Sequence, residues 1–67
     1  MNGKLTDIVT TICYGNITKR TRIDALEFYM DCMRNSEGSE HERYETIFFQ
    51  LMDGKKVCSD CIDWFGR

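Results

Sequence analysis

The stretch that decides the predicted fold is IDALEFYMDCM, residues 23–33. Its apolar side chains recur at helical spacing and form two adjoining faces. The two faces consist of Ile23, Leu26, Tyr29, Met30 and Met33, and of Ala25, Phe28 and Cys32. A helix that is apolar around more than half its girth is usually buried on two sides. We therefore predict a central helix over about residues 20–34, with Thr18 or Thr21 as its N-terminal cap.

A second helix is predicted to begin at Ser39. Ser39 and Glu42 have the spacing of a capping box, in which each side chain satisfies a free backbone N–H of the first turn. A glycine stop is expected at Gly54, just past the last apolar residue. The apolar stripe of this helix consists of Tyr44, Ile47, Phe48, Leu51 and Met52.

The N-terminal segment is interpreted as a third helix, over residues 4–14 and ended by Gly15 and Asn16. Its apolar stripe consists of Leu5, Ile8, Val9, Ile12 and Cys13. The tail from Lys55 to Arg67 is predicted to be a short helix or an ordered tail, with Val57, Cys58, Cys61, Ile62 and Phe65 at helical spacing. The alternative is an extended segment that begins over residues 55–58. The prediction is an all-α fold: a small three-helix bundle that forms a single domain over residues 1–67.

Composition restricts the classes of function. The chain has 67 residues and a net charge of -2, from 9 basic and 11 acidic residues. A chain this short has a thin core, and an enzyme with a deep pocket is not expected. Neither an apolar run long enough to span a membrane nor a signal peptide is seen, so we expect a cytoplasmic protein.

The middle of the chain suggests a protein-binding surface. Residues 24–53 hold eight acidic side chains against Arg34 and Arg43. Solvated helix surfaces explain such a charge excess, but an acidic face also suits a basic partner. Because 67 residues offer few elements to cover the central helix, we predict a protein partner or a homodimer. The predicted contact residues are Ala25, Glu27, Phe28, Cys32, Glu45 and Phe49.

The alternative is a small DNA-binding regulator. Lys19, Arg20 and Arg22 form the basic cluster of the chain, and at a helix N-terminus they would grip phosphates. Residues 20–33 would then be the recognition helix of a helix–turn–helix motif. The acidic residues of that helix, Asp24, Glu27 and Asp31, speak against this alternative.

A third hypothesis is a structural zinc ion, held by Cys58 and Cys61 in a C-x-x-C motif. A zinc site needs four ligands, and the other candidates, Cys13, Cys32 and His41, are scattered singly. Burial as small apolar residues therefore explains the two cysteines better, and no cofactor is expected. His41 is predicted to be a surface residue. Tyr29 and Tyr44 are predicted to pack in the core rather than to stack on bases.

Residues 35–60, NSEGSEHERYETIFFQLMDGKKVCSD, resemble short proteins encoded on conjugative or phage-like elements of Gram-positive bacteria. The resemblance implies a bacterial cytosolic setting, and no functional residue carries over from it. It suggests a regulator or inhibitor of a host protein. The prediction is therefore a non-enzymatic protein-binding module of a mobile element.

Overall fold

The structure is a computed structural model that describes residues 3–60. Its elements follow one another as β1 (Ile8–Cys13), β2 (Asn16–Thr21), α1 (Arg22–Arg34), α2 (Ser39–Met52) and β3 (Val57–Ser59). The three strands form one sheet in the order β2-β1-β3. β1 is antiparallel to β2 and parallel to β3. Both helices pack on the same face of the sheet, so the fold is a two-layer α+β fold.

The predicted all-α three-helix bundle is therefore wrong, and the error lies in the N-terminal segment. Residues 4–14 do not form a helix, because most of them belong to strand β1. All five residues from Ile8 to Ile12 are β-branched, a type that loses side-chain freedom in helices and favours strands. Burial alternates as a strand requires, since Val9 and Thr11 are buried while Ile8 is exposed.

A two-residue turn joins β1 to β2. Tyr14 has a φ of 53° and Gly15 a φ of 80°. Positive φ at both central residues is the type I′ geometry, whose twist matches that of the flanking strands. The loop that was predicted to end a helix at Gly15 and Asn16 is thus the tip of a hairpin, in which Cys13 pairs with Asn16.

The two other predicted helices are confirmed, but one of the predicted caps is wrong. Thr21 caps α1, and its hydroxyl accepts a hydrogen bond of 3.3 Å from the backbone N–H of Asp24. The capping box of α2 is not formed, because Ser39 already lies inside the helix. Gly38 is the N-cap residue, with a φ of 65° and no side-chain hydrogen bond.

The tail is extended where it is described. Val57 to Ser59 form β3, so the short helix is wrong there and the extended alternative is the one observed, while residues 61–67 lie outside the described residues. β3 places Cys58 in the core between the sheet and the helices. The core consists of Val9, Ala25, Leu26, Tyr29, Ile47, Leu51 and Cys58.

The central helix α1 is covered on one side. Ala25, Leu26 and Tyr29 are buried against the sheet and α2. Phe28 and Met30 remain 44% and 47% exposed. Each of the two apolar faces predicted for this helix therefore contains both buried and exposed residues. Within residues 3–60, neither helix has the length and hydropathy that crossing a membrane requires.

Candidate protein-binding face of the sheet

One face of the sheet points away from both helices. Successive strand residues point to opposite faces, so the burial of Val9, Thr11 and Cys58 against the helices directs Ile8, Thr10, Ile12 and Val57 outward. Cross-strand pairing aligns these neighbours: Ile12 lies opposite Ile17, and Thr10 lies between Lys19 and Val57. We call this surface the outer face, and it consists of Ile8, Thr10, Ile12, Ile17, Lys19, Thr21 and Val57.

The outer face carries an exposed apolar residue on each of its three strands. Ile8 is 59% exposed, Ile17 is 68% exposed and Val57 is 45% exposed. These three residues come from three different strands, and sheet pairing brings them onto one surface. A group of exposed β-branched residues on one surface marks an interaction site more often than single exposed residues do.

The outer face ends at the unpaired edge of β2. Because the hairpin loop has two residues, Cys13 and Asn16 form the first hydrogen-bonded pair, and bonded pairs recur at every second position. Asp7 and Arg22, the next positions beyond the ladder, follow the same alternation, because the Arg22 N–H donates a hydrogen bond of 2.8 Å to the Asp7 carbonyl.

The N–H and C=O groups of Ile17 and Lys19 therefore point away from β1. We call these backbone groups the free edge of β2. Within residues 3–60, no backbone hydrogen bond from outside the sheet ladder engages them.

Charge is divided between the two layers of the fold. Residues 3–21 and 54–60, which include the sheet, hold five basic side chains against Asp7 and Asp60. Residues 22–53, which form the helices and their connection, hold eight acidic side chains against three basic ones. The acidic surface predicted from the sequence thus belongs to the helices, whereas the sheet is basic.

Arg22, which was predicted to contact DNA in the alternative hypothesis, lies in the interior. Its side chain is fully buried. Its guanidinium donates hydrogen bonds of 2.9 to 3.2 Å to four backbone carbonyls, those of Lys4, Leu51, Gly54 and Lys55. Three of these carbonyls lie in the last turn of α2 or just beyond it. Arg22 therefore supplies the positive charge and the donors that a helix C-terminus lacks.

The other two residues of the basic cluster lie at the surface, on opposite faces of β2. Lys19 belongs to the outer face and is exposed. Arg20 belongs to the inner face, and its guanidinium carbon lies 4.4 Å from the centre of the Phe28 ring. The three basic side chains therefore lie apart in the structure and do not form one phosphate-binding site.

The residues predicted to contact a protein partner are also dispersed. Ala25 is fully buried in the core, so it is not available to a partner. Phe28 and Cys32 line a groove of about 310 Å³ between α1 and α2, together with Asp31, Asn35, Ser36, Glu40 and Tyr44. Phe49 is 59% exposed and lies outside this groove. Glu27 is exposed. Glu45 lies 3.6 Å from the His41 ring nitrogen.

His41 is half-buried rather than fully solvent-facing. Its Nδ1 atom lies 2.9 Å from the carbonyl oxygen of Met33, at the end of α1. Its other nitrogen faces Glu45. His41 therefore links the C-terminal end of α1 to the first turns of α2, and it has no nucleophile beside it among its described contacts. Tyr29 and Tyr44 lie 6.1 Å apart between ring centres, as core packing predicts.

A polar cluster fixes the hairpin turn to α2. The Asp60 carboxylate accepts hydrogen bonds of 3.1 Å from the Tyr14 backbone N–H and from the Arg43 guanidinium. The Arg43 guanidinium also lies 4.9 Å from the centre of the Tyr14 ring. This cluster holds the β1–β2 hairpin against the helical layer, which keeps the outer face directed away from it.

The described cysteines are suited to packing rather than to chemistry. Cys13, Cys32 and Cys58 carry free thiols. Burial raises the pKa of the Cys58 thiol and of the Cys13 thiol to about 11 each. A raised pKa disfavours the thiolate, which is the nucleophile and metal ligand. Among residues 3–60, no group of three His, Cys, Asp or Glu side chains has the arrangement of a metal site. Cys61 lies outside the described residues.

Burial of Cys58 gives an alkaline limit to stability. The thiol has a pKa of about 11 in the folded chain and an ordinary value of 9.0 when unfolded. The unfolded state therefore loses its proton first, so stability falls as the pH rises from 9 towards about 11. We expect the urea midpoint of the wild type to fall more across this range than that of Cys58→Ala. Equal decreases in the two proteins would contradict the prediction.

Sequence reasoning missed the exposed apolar residues of the outer face, which are Ile8, Ile17 and Val57. The signal was the pair of hexapeptides IVTTIC and NITKRT, which are rich in β-branched residues and flank Tyr14 and Gly15. Such runs on either side of a two-residue turn predict a hairpin. Val57 carried no comparable signal, because β3 has only three residues.

Comparisons with known proteins found no match to this chain. No protein-family model matches it, and no curated protein or solved structure matches it either. The features that bear on function are therefore the geometry of the outer face, the free edge of β2 and the division of charge.

Proposed function

We propose that this chain is a non-enzymatic protein-binding module that binds another protein through its outer face. The observation that supports the proposal is the exposure of Ile8, Ile17 and Val57 on a sheet face opposite both described helices. A sheet with one face packed on helices normally carries polar residues on the other face. Exposed apolar residues on all three strands of this face depart from that pattern, and a bound partner would remove them from water.

We propose the cytoplasm as its compartment and the regulation or inhibition of a host protein as its role. The free thiols of Cys13, Cys32 and Cys58 suit a reducing compartment. The resemblance of residues 35–60 to proteins of mobile elements supplies the suggestion of a host target. The buried position of Arg22 and the contact of Arg20 with Phe28 give little support to the DNA-binding alternative.

The test compares two matched substitutions. Ile17→Asp places a carboxylate on the outer face, and Phe49→Asp places one on α2, at sites that are 68% and 59% exposed. The wild type is used to capture a partner from cells that make the protein, and the purified partner is then titrated with all three chains. We expect Ile17→Asp to weaken binding by more than about tenfold, or ~1.4 kcal/mol, and Phe49→Asp to leave it unchanged.

Thermal unfolding of both variants is the control, because each site is exposed and each fold should survive. If Phe49→Asp abolishes binding and Ile17→Asp does not, the interface lies on the helices and the outer face is excluded. If no captured protein binds after purification, the proposal fails as a whole.

A further inference from the structure

We propose that the partner presents an acidic, extended segment, and that this segment pairs with the free edge of β2 as a fourth strand of the sheet. This inference rests on the proposed function, and it specifies the part of the partner that the surface recognises. It is carried by the backbone of β2, by the two basic residues of that strand and by the apolar residues beside them.

The backbone of β2 offers a template. The N–H and C=O groups of Ile17 and Lys19 point outward, which gives two donors and two acceptors at the spacing of a β ladder. Edge strands with such unpaired groups accept extended peptides by strand addition, in which the main chain supplies the hydrogen bonds. The exposure of Ile17, at 68%, leaves room for a strand beside it.

The side chains of β2 set the charge of the incoming segment. Lys19 and Arg20 are successive residues on opposite faces, and β2 contains no acidic residue. A strand paired with β2 would place one of its residues opposite each of them. Opposite charges at cross-strand positions are favourable and like charges are unfavourable. The segment therefore requires acidic residues at two successive positions.

The neighbouring residues set the rest of the pattern. Ile17 lies two residues from Lys19 on the outer face, so the incoming strand needs a β-branched or apolar residue two positions from the first carboxylate. On the inner face, Phe28 lies under the Arg20 guanidinium and remains 44% exposed. The resulting motif has two adjacent acidic residues flanked by a β-branched residue on the Ile17 side.

The same charges disfavour a second copy of this chain as the occupant. Pairing β2 with another β2 would bring together two strands that each carry Lys19 and Arg20 and no acidic residue. Lysine on an edge strand is a common means of preventing such self-pairing. The acidic side chains of this chain lie mostly in its helical layer, which does not offer an extended segment.

The experiment uses nuclear magnetic resonance of the full-length, ¹⁵N-labelled chain with the end-blocked hexapeptide VTEETV at millimolar concentration. The peptide reads the same in both directions, so it fits parallel and antiparallel pairing alike. We expect the amide protons of Ile17 and Lys19 to shift downfield and to exchange with solvent about tenfold more slowly. The amides of Thr18 and Arg20, which already face β1, should keep their exchange rates.

Two matched pairs serve as controls. The peptide VTKKTV has the same length and β propensity but the opposite charge, and it should not bind. Lys19→Glu should abolish binding of VTEETV, whereas Lys56→Glu makes the same charge change away from β2 and should retain it. A third peptide, VTEETV methylated at the amides of its second, fourth and sixth residues, lacks the N–H groups that would face β2, and it should fail to bind although its charge is unchanged.

The decisive result is slowed amide exchange at Ile17 and Lys19 but not at Thr18 and Arg20. No response to VTEETV, an equal response to VTKKTV, or uniform shifts along β2 without slowed exchange would overturn strand addition. If these results occur while Ile17→Asp still blocks the captured partner, the proposed function stands and the acidic fourth strand is excluded. If Ile17→Asp has no effect on that partner, the outer-face interface itself is wrong.

Discussion

Replacing Arg22 with alanine is expected to unfold the protein rather than to impair its binding. The guanidinium is fully buried and donates to four carbonyls, and its Nη2 atom lies 3.8 Å from the Asp7 carboxylate. Removing the side chain leaves several carbonyls near the end of α2 without donors and empties a large volume. Breaking a buried ion pair or hydrogen-bonded charge of this kind costs about 3–5 kcal/mol.

That cost is large for a chain of this size, because small domains have only about 5–15 kcal/mol of total stability, and the shortest ones the least. Urea denaturation followed by circular dichroism measures the loss. Arg22→Lys should also destabilise the fold, since a single ammonium group cannot replace the planar set of donors. Lys19→Ala is the control at the exposed end of the same basic cluster, and it should change stability by less than about 0.5 kcal/mol.

If Arg22 instead lay at the surface, Arg22→Ala would leave stability nearly unchanged. If Arg22→Ala keeps the midpoint of the wild type, the buried position of the guanidinium is wrong. Gly3 provides an independent check, because an added Cβ there would lie 2.7 Å from the Arg22 Nη2 atom and Gly3 has a φ of +82°. Gly3→Ala should therefore destabilise the fold, whereas Gly15→Ala brings strain from positive φ but no steric contact.

The second large effect is a difference in stability between substitutions at two adjacent residues of β1. Val9 is fully buried and Ile8 is 59% exposed on the outer face. Val9→Asp would bury a carboxylate without a partner, which should cost more than about 4 kcal/mol and leave the chain unfolded. Ile8→Asp places the same group in water, and it should change stability by less than about 1 kcal/mol.

This pair of variants separates a strand from a helix in the N-terminal segment. In the predicted helix over residues 4–14, both residues belong to one apolar stripe, so both substitutions would be severe. In β1 they point to opposite faces, so only one is severe. Comparable losses of stability in the two variants, measured by thermal unfolding, would contradict the strand and its register with β2.

The two long helices could be predicted from the sequence because their signals are local. Helical spacing of apolar residues, the cap at Thr21 and the stop near Gly54 all act within a few residues of the element that they define. The capping box at Ser39 failed because the chain enters α2 through Gly38, whose positive φ makes glycine the cap residue.

The sheet could not be predicted in the same way. Six residues of β1 are too few to separate a helical stripe from a strand by spacing alone, and only the β-branched composition distinguishes them. β3 has three residues, and it is defined by its parallel pairing with residues 10–12 rather than by its own sequence. The outer face depends on that pairing, since its residues come from three strands.

The role of Arg22 was inaccessible for a related reason. α2 has no basic residue in its last turn, so its C-terminal carbonyls depend on a cation from elsewhere in the chain. The donor comes from the first residue of α1, about 30 positions earlier, and only the packing of the two helices brings it there. From sequence alone, a basic cluster suggests a binding surface. In the fold, Arg22 of this cluster is buried and stabilises the end of α2.

The parallel pairing of β1 with β3 has a consequence for the order of folding. The hairpin and the helices involve contacts that are near in sequence, and they are the first to become possible as the chain leaves the ribosome. The β1–β3 ladder joins positions 47 residues apart, such as Thr10 and Val57. Contacts at this separation form late, because the entropic cost of closing a long loop comes before any stabilisation from the contacts. Until then the hairpin has a second open edge, that of β1, and the newly made chain is at its most vulnerable to aggregation in that interval.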